Sequence, residues 1–355
     1  MLKIHDFAPS ADNPRNSEGA FYRRWDGNIG FIYSRFTQGD EDFALSELRE
    51  AVFSADGTRI LPETRVLFTT EQYGAQNIMC PSVVEMPDGR LLLCFLVRMG
   101  GGHINPWLYE SFDKGQSFVN GREIVGGDRY VGTENDRLLL TSEGKLILWC
   151  FIAQKQEGAY AGIAPHLTGA YLISDDGGAT FREVGGFDCG EDIYGGIQEP
   201  GAVELENGNI LAWARTSAGC QYLSMSRDGG ESFDEFAPSK VFTSPLSPMS
   251  MKRLADGRVI AIYNPVPPTP EELAADRGAL WRGRSPLVYR TSRDGVNWSE
   301  PVELEARERT KNYCYTAIFP EKEFVLLGYC ASDTVTDRGG LNRLRVARLD
   351  MNEIE

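Results

Sequence analysis

Short apolar runs such as residues 91–95 (LLLCF) and 146–150 (LILWC) recur along the chain, each placed just after a two-residue turn signal. The turns are Asp26-Gly27, Asp88-Gly89, Glu143-Gly144, Asn207-Gly208 and Asp256-Gly257. An acidic or amide residue before glycine supplies the positive φ of a tight hairpin, so each marks two antiparallel strands. Residues 321–323 (EKE), ahead of the apolar run 324–327 (FVLL), fall where the spacing predicts a sixth turn without glycine. Helical periodicity is nearly absent, and residues 270–277 are the best candidate for a helix.

A second marker alternates with the first. Residues 111–118 (SFDKGQSF), 174–181 (SDDGGATF) and 226–233 (SRDGGESF) share the pattern S-x-D-x-G-x-x-F, and residues 54–57 (SADG) and 292–298 (SRDGVNW) are partial copies. Asp and Gly build the turn, and the aromatic tucks beneath neighbouring strands. Two hairpin turns per repeat of about sixty residues describe a four-stranded antiparallel blade. The expected fold is therefore all-β, a six-bladed β-propeller forming one domain over residues 1–355. A seven-bladed ring or a sandwich is the alternative. Residues 344–348 (LRVAR) either complete the last blade or pair with the first and close the ring.

Charge narrows the partners. With 36 Lys and Arg against 51 Asp and Glu, the net charge is −15, which repels phosphate backbones and anionic lipid surfaces. Nucleic acid is excluded on this reading, no apolar run approaches the ~20 residues that membrane insertion needs, and an anionic ligand requires a local arginine cluster. The seven cysteines are odd in number and have no C-x-x-C spacing, which argues against a disulfide framework or a zinc site. His5, His103 and His166 are dispersed, so no metal and no cofactor is expected. Residues 1–13 have no basic stretch followed by an apolar one, so the expected location is the cytoplasm, or outside the cell if a leader has been removed.

If the Asp-Gly turn joins the first two strands of a blade, residues about nine before it and seven to nine after it meet at the opposite end. Counting back gives Glu18, Cys80, Asn135, Glu199, Pro248 and Cys314, with Tyr315 beside it; counting forward gives Arg35, Arg98, Arg215 and Asn264. First strands line the axis of a propeller, so these side chains from separate blades converge on one shallow pocket.

The S-x-D-x-G-x-x-F turns and this rim together resemble the sialidase superfamily, over nearly the whole chain. The resemblance implies three arginines on a substrate carboxylate, a Tyr nucleophile paired with a Glu, and an Asp acid/base. Arg15, in residues 13–19 (NPRNSEG), is similar to the first arginine by its place before the first hairpin, although the Arg-Ile-Pro motif is absent. Arg35 resembles the arginine placed beside the acid/base. That acid is Asp42, with Asp40 as the competing choice. Glu199 followed by Arg215 matches the family's Glu and second arginine in order and separation. Arg284, with Arg282 as fallback, resembles the third arginine, and Tyr315 the nucleophile. Arg98, Asn135 and Asp136 join the substrate-binding set, with His103, Asn105 and Asn77 as further contacts, and the Pro-rich residues 265–270 are a candidate lid.

The implied function is exo-acting, retaining hydrolysis of a glycoside ending in an acidic sugar. Sialic acid or a related 2-keto sugar acid is the first choice. Another sugar, uronic or deoxy, or a binding propeller without turnover, is the alternative.

Overall fold

The computed structural model describes residues 1–156, 163–281, 283–337 and 339–355. They form six four-stranded antiparallel blades. Blade 1 runs through Arg15–Arg23, Ile29–Gln38, Leu45–Phe53 and Ile60–Thr69 from the axis outward. Blades 2, 4 and 5 repeat that order from first strands Asn77–Glu85, Gln198–Glu204 and Ser250–Arg253. The Asp-Gly and related turns join first strands to second ones, as their spacing predicts, and the glycine-free turn at 321–323 does so in blade 6, between Lys311–Pro320 and Phe324–Asp333.

Two blades depart from the repeat. The first strand of blade 3 is split into Tyr130–Gly132 and Leu138–Leu140, and Tyr130 also pairs in parallel with Ile104 of blade 2, so these two blades share one sheet. In blade 6 the third strand, Leu344–Asp350, pairs with Leu2–Phe7 as the outermost strand. The tail therefore completes the last blade, and the chain's own start closes the ring against it. Closure of this kind leaves no exposed seam between first and last blades.

Between blades the core is a series of apolar layers, and the repeat aromatics lie in them. Phe233 packs edge-on at 5.0 Å against Trp149 of the preceding blade, and Trp298 does the same at 4.9 Å against Phe242. Within the turn, Ser174 Oγ donates to Asp176 Oδ1 at 2.8 Å, and Asp176 accepts the Thr180 N–H at 2.9 Å. Hydrogen bonds led by the Thr180 hydroxyl hold the Asp176 carboxyl down to about 2, as expected of a carboxylate used wholly as an acceptor. These turns join third strands to fourth ones. A short helix, Pro270–Ala275, capped by Thr269, lies within the predicted helical stretch. Among the described residues no helix is long and apolar enough to cross a membrane.

Candidate active site

The first strands of blades 1, 2, 4 and 6 all slip register at the same height, between Ser17 and Gly19, Met79 and Ser82, Gln198 and Gly201, and Cys314 and Ala317. At each slip a non-glycine residue has positive φ: Glu18 at 35°, Cys80 at 59°, Glu199 at 45° and Tyr315 at 57°. Such a backbone costs on the order of 1–3 kcal/mol per residue and persists only where its surroundings impose it. A bulge re-aims a side chain. Here it turns Glu18, Cys80, Glu199 and Tyr315 into one cavity of about 760 Å³. Blade 3 contributes through the break in its first strand, where Thr133 and Glu134 reach the same cavity. Blade 5 contributes Arg284, just ahead of its third strand Leu287–Ser292.

At the centre, Tyr315 Oη donates to Glu199 Oε1 at 3.0 Å, and Arg215 Nη1 reaches both, at 2.5 Å from Glu199 Oε1 and 3.3 Å from Tyr315 Oη. The Arg284 guanidinium lies 5.6 Å from the Tyr315 ring centre. Burial and the Glu199 charge push the Tyr315 phenol well up, against the opposing pull of Arg215 and Arg284. The phenol is therefore protonated at rest and hydrogen-bonded to the Glu199 carboxylate.

Arg15 is committed to other groups. Its Nη2 pairs with Glu18 Oε1 at 2.8 Å and its Nη1 with Asp42 Oδ1 at 2.6 Å, and it also donates to the Asp40 carbonyl and to Ser17. The cavity lining does not include Arg15, which instead holds two residues that do line it, Glu18 and Asp42. Asp42 does line the cavity, while Asp40 is turned away and accepts from Asn342 at 2.9 Å. Asn77 donates to the Ala44 carbonyl at 2.7 Å and so pins the loop carrying Asp42. Partial desolvation raises the Asp42 carboxyl, but Arg15, with Arg98 and Arg215 beyond it, outweighs this and holds it below its usual range.

The remaining predicted residues divide. Arg98 lines the cavity, 5.7 Å from the Tyr130 ring. Arg35 does not: it pairs with Glu47 at 3.2 Å and Asp12 at 3.7 Å on the other face of its strand. Asn135 is a strut across the axis, donating to the Gly19 carbonyl at 2.8 Å and the Tyr315 carbonyl at 3.3 Å. Asp136 faces a different cavity, where it pairs with Lys252 at 2.8 Å and accepts the Ile318 N–H at 2.9 Å. His103 and Asn105 bond to one another and to Glu123 outside the pocket. The Pro-rich segment borders two smaller cavities, and Trp281 in its continuation lines the main one and meets Tyr194 edge-on at 6.0 Å. Arg282 lies outside the described residues. Among the described residues no group of His, Cys, Asp and Glu is arranged to hold a metal ion.

Glu134 had no motif to announce it. It is buried on the cavity wall, with its own neighbour's N–H, from Asn135, donating to Oε1 at 2.8 Å. Desolvation, then the charges of Glu199 and Glu18, hold its carboxyl well above the ordinary range. A carboxyl raised on folding favours the folded state fully below its unfolded pKa, and that contribution is lost as pH rises through the folded one. Glu134→Gln is therefore expected to be more stable relative to wild type as pH rises from the ordinary carboxylate range toward neutrality. Denaturant unfolding of both proteins across that range checks it, and a constant difference would contradict it.

Residues 51–327 match the BNR repeat-like domain family. No curated protein matches the chain by sequence. Among solved structures, a protein of unknown function from Dyadobacter fermentans is 15% identical with a TM-score of 0.74, covering 98% of this chain and 98% of its own. The intramolecular trans-sialidase of Ruminococcus gnavus is 11% identical with a TM-score of 0.74, covering 99% of this chain and 98% of its own. The NanB sialidase of Streptococcus pneumoniae is 12% identical with a TM-score of 0.73, covering 99% of this chain and 71% of its own. At such identities the likeness is one of fold. With its repeat turns, its six blades and a family match over most of its length, the chain is a member of the BNR repeat-like domain family, with a propeller fold like that of these two sialidase structures.

Proposed function

We propose that the protein is an exo-acting, retaining glycoside hydrolase that removes a terminal acidic sugar, sialic acid or a related 2-keto sugar acid. The observation that carries this reading is the 3.0 Å hydrogen bond from Tyr315 to Glu199 in a cavity also lined by Arg98, Arg215 and Arg284. Guanidinium groups bind a planar carboxylate by charge-assisted, partly bidentate hydrogen bonds. Beside that carboxylate a neutral phenol attacks the anomeric carbon without the repulsion an anionic nucleophile would meet. Glu199 takes the phenol proton as the bond forms, which a group of intrinsic pKa ~10 requires at neutral pH. Asp42 gives its proton to the departing oxygen, then takes one from the water that releases the sugar on the same face. Two displacements retain the configuration.

The state of Asp42 sets the pH response. Held below the usual carboxylate range by Arg15, it is ionised at neutral pH and must be protonated to act as the acid. The expected kcat/KM therefore falls as pH rises through the depressed pKa of Asp42, since kcat/KM reports the free enzyme. A pH profile of wild type beside Asp42→Ala checks this: the limb is expected to vanish in the variant, and its survival would exclude Asp42 as the acid.

The seven free cysteines, five of them buried, suit a reducing compartment, and a cytoplasmic location belongs to the same proposal. The test of function is sugar release from a panel of sialosides and other acidic glycosides by wild type and Arg284→Ala. Release of one acidic sugar, lost in the variant, supports the reading. Binding through Arg284 without release replaces it with a carbohydrate-binding propeller.

A further inference from the structure

The buried arginines of the pocket are not equivalent. Arg15 and Arg215 each have a carboxylate within 2.8 Å. Arg284 is equally buried, at 5% exposure, but its Nη1 donates to Cys314 Sγ at 3.2 Å and its Nη2 to the Leu246 carbonyl at 3.4 Å. Among the described residues it has no carboxylate within ion-pair distance. A guanidinium at that depth requires a counter-charge, because an unpaired buried charge is among the most costly features a fold can carry. A neutral thiol is a weak acceptor and does not supply one. A thiolate does, and an adjacent arginine is the environment that favours it.

A second thiol lies beside Cys314. Cys330, on the next strand of blade 6, is its register partner, and both are buried. Cys330 Sγ lies 3.4 Å from Ser17 Oγ of blade 1. We propose that Cys314 is a thiolate and that it is the resident counter-ion that positions Arg284 in the pocket wall.

Burial alone would push the Cys314 thiol up, but the bond from Cys330 and the Arg284 charge outweigh it and hold the group below the ordinary thiol range; Glu18 of blade 1 opposes them. Cys330 is pushed up by the same hydrogen bond and by burial. Cys314 touches no reacting atom. It acts through Arg284, whose role in holding an anion rests on the function proposed above.

Thiolate absorbance in the ultraviolet, followed across pH, tests the charge without any substrate. Wild type minus Cys314→Ser is expected to show one thiolate at neutral pH, and Arg284→Met to lose that signal. Cys94→Ser, which removes a buried thiol raised to about 12, is expected to leave the signal unchanged. In kinetics, Cys314→Ser is expected to raise KM for an acidic glycoside roughly tenfold with kcat nearly unchanged, the mark of weakened binding alone. Identical neutral-pH absorbance in wild type and Cys314→Ser, or a signal indifferent to Arg284→Met, overturns the proposal. Failure of every glycoside to react would overturn the enzymatic reading and leave the thiolate titration as it stands.

Discussion

Tyr315→Phe is expected to lower kcat/KM for the cleaved glycoside by on the order of 10³-fold or more while leaving the fold intact. The change removes one oxygen, and with it the hydrogen bonds to Glu199 and Arg215. The ring itself, buried and set beneath Arg284 at 5.6 Å, keeps its packing. Ligand affinity should stay near that of wild type, because the arginines are untouched. Steady-state kinetics with calorimetric binding of the released sugar check both halves. Activity within tenfold of wild type would remove Tyr315 from the chemistry.

The largest expected effect on stability is at Arg15. Arg15→Met leaves Glu18, which is 1% exposed, as a buried carboxylate without its 2.8 Å partner. Breaking one side of such a pair costs about 3–5 kcal/mol. The double variant Arg15→Met/Glu18→Gln is expected to recover most of the loss, since the uncompensated charge is gone; chemical denaturation of the two variants and wild type measures the difference. A second readout belongs to Asp42. Without the Arg15 charge its carboxyl rises, so the falling limb of the pH profile is expected to move to higher pH. A limb that stays in place would mean that Arg15 does not hold the acid.

The architecture was legible because its signals are local and repeated. The Asp-Gly turns fix where first and second strands meet, and a fixed count back from them lands on the bulge residues Glu18, Cys80 and Glu199 and reaches Tyr315. The closing strand Leu2–Phe7 was missed because it has no partner nearby in sequence; its ladder is with Leu344–Asp350. Glu134 was missed because it sits in an interrupted strand, where counting from a turn no longer reports direction.

Arg35 fails for a reason the sequence contained. Arg215 and Arg98 stand seven and nine residues after the glycines of their turns, and Arg35 stands eight after Gly27. Side chains alternate along a strand, so an odd and an even offset face opposite ways. The pairing agrees: Arg215 is opposite Gln198 and Arg98 opposite Asn77, one and three residues before their bulges, while Arg35 is opposite Asn16, two before Glu18. Arg15 illustrates a different limit. Its position was readable, but its carboxylate partners come from the bulge of its own strand and from the loop at 40–44, which no spacing rule joins to it.

The central claim, a pocket that forms a covalent bond between a sugar and Tyr315, is tested most directly by protein mass. The probe is a 2-keto sugar acid with an activated leaving group and a fluorine next to the anomeric carbon, which slows release of the intermediate. Wild type is expected to gain the mass of one sugar, mapped to the peptide containing Tyr315, and Tyr315→Phe to gain nothing. A sugar that wild type hydrolyses without any adduct, or an adduct on Glu199 or Asp42, would contradict the account.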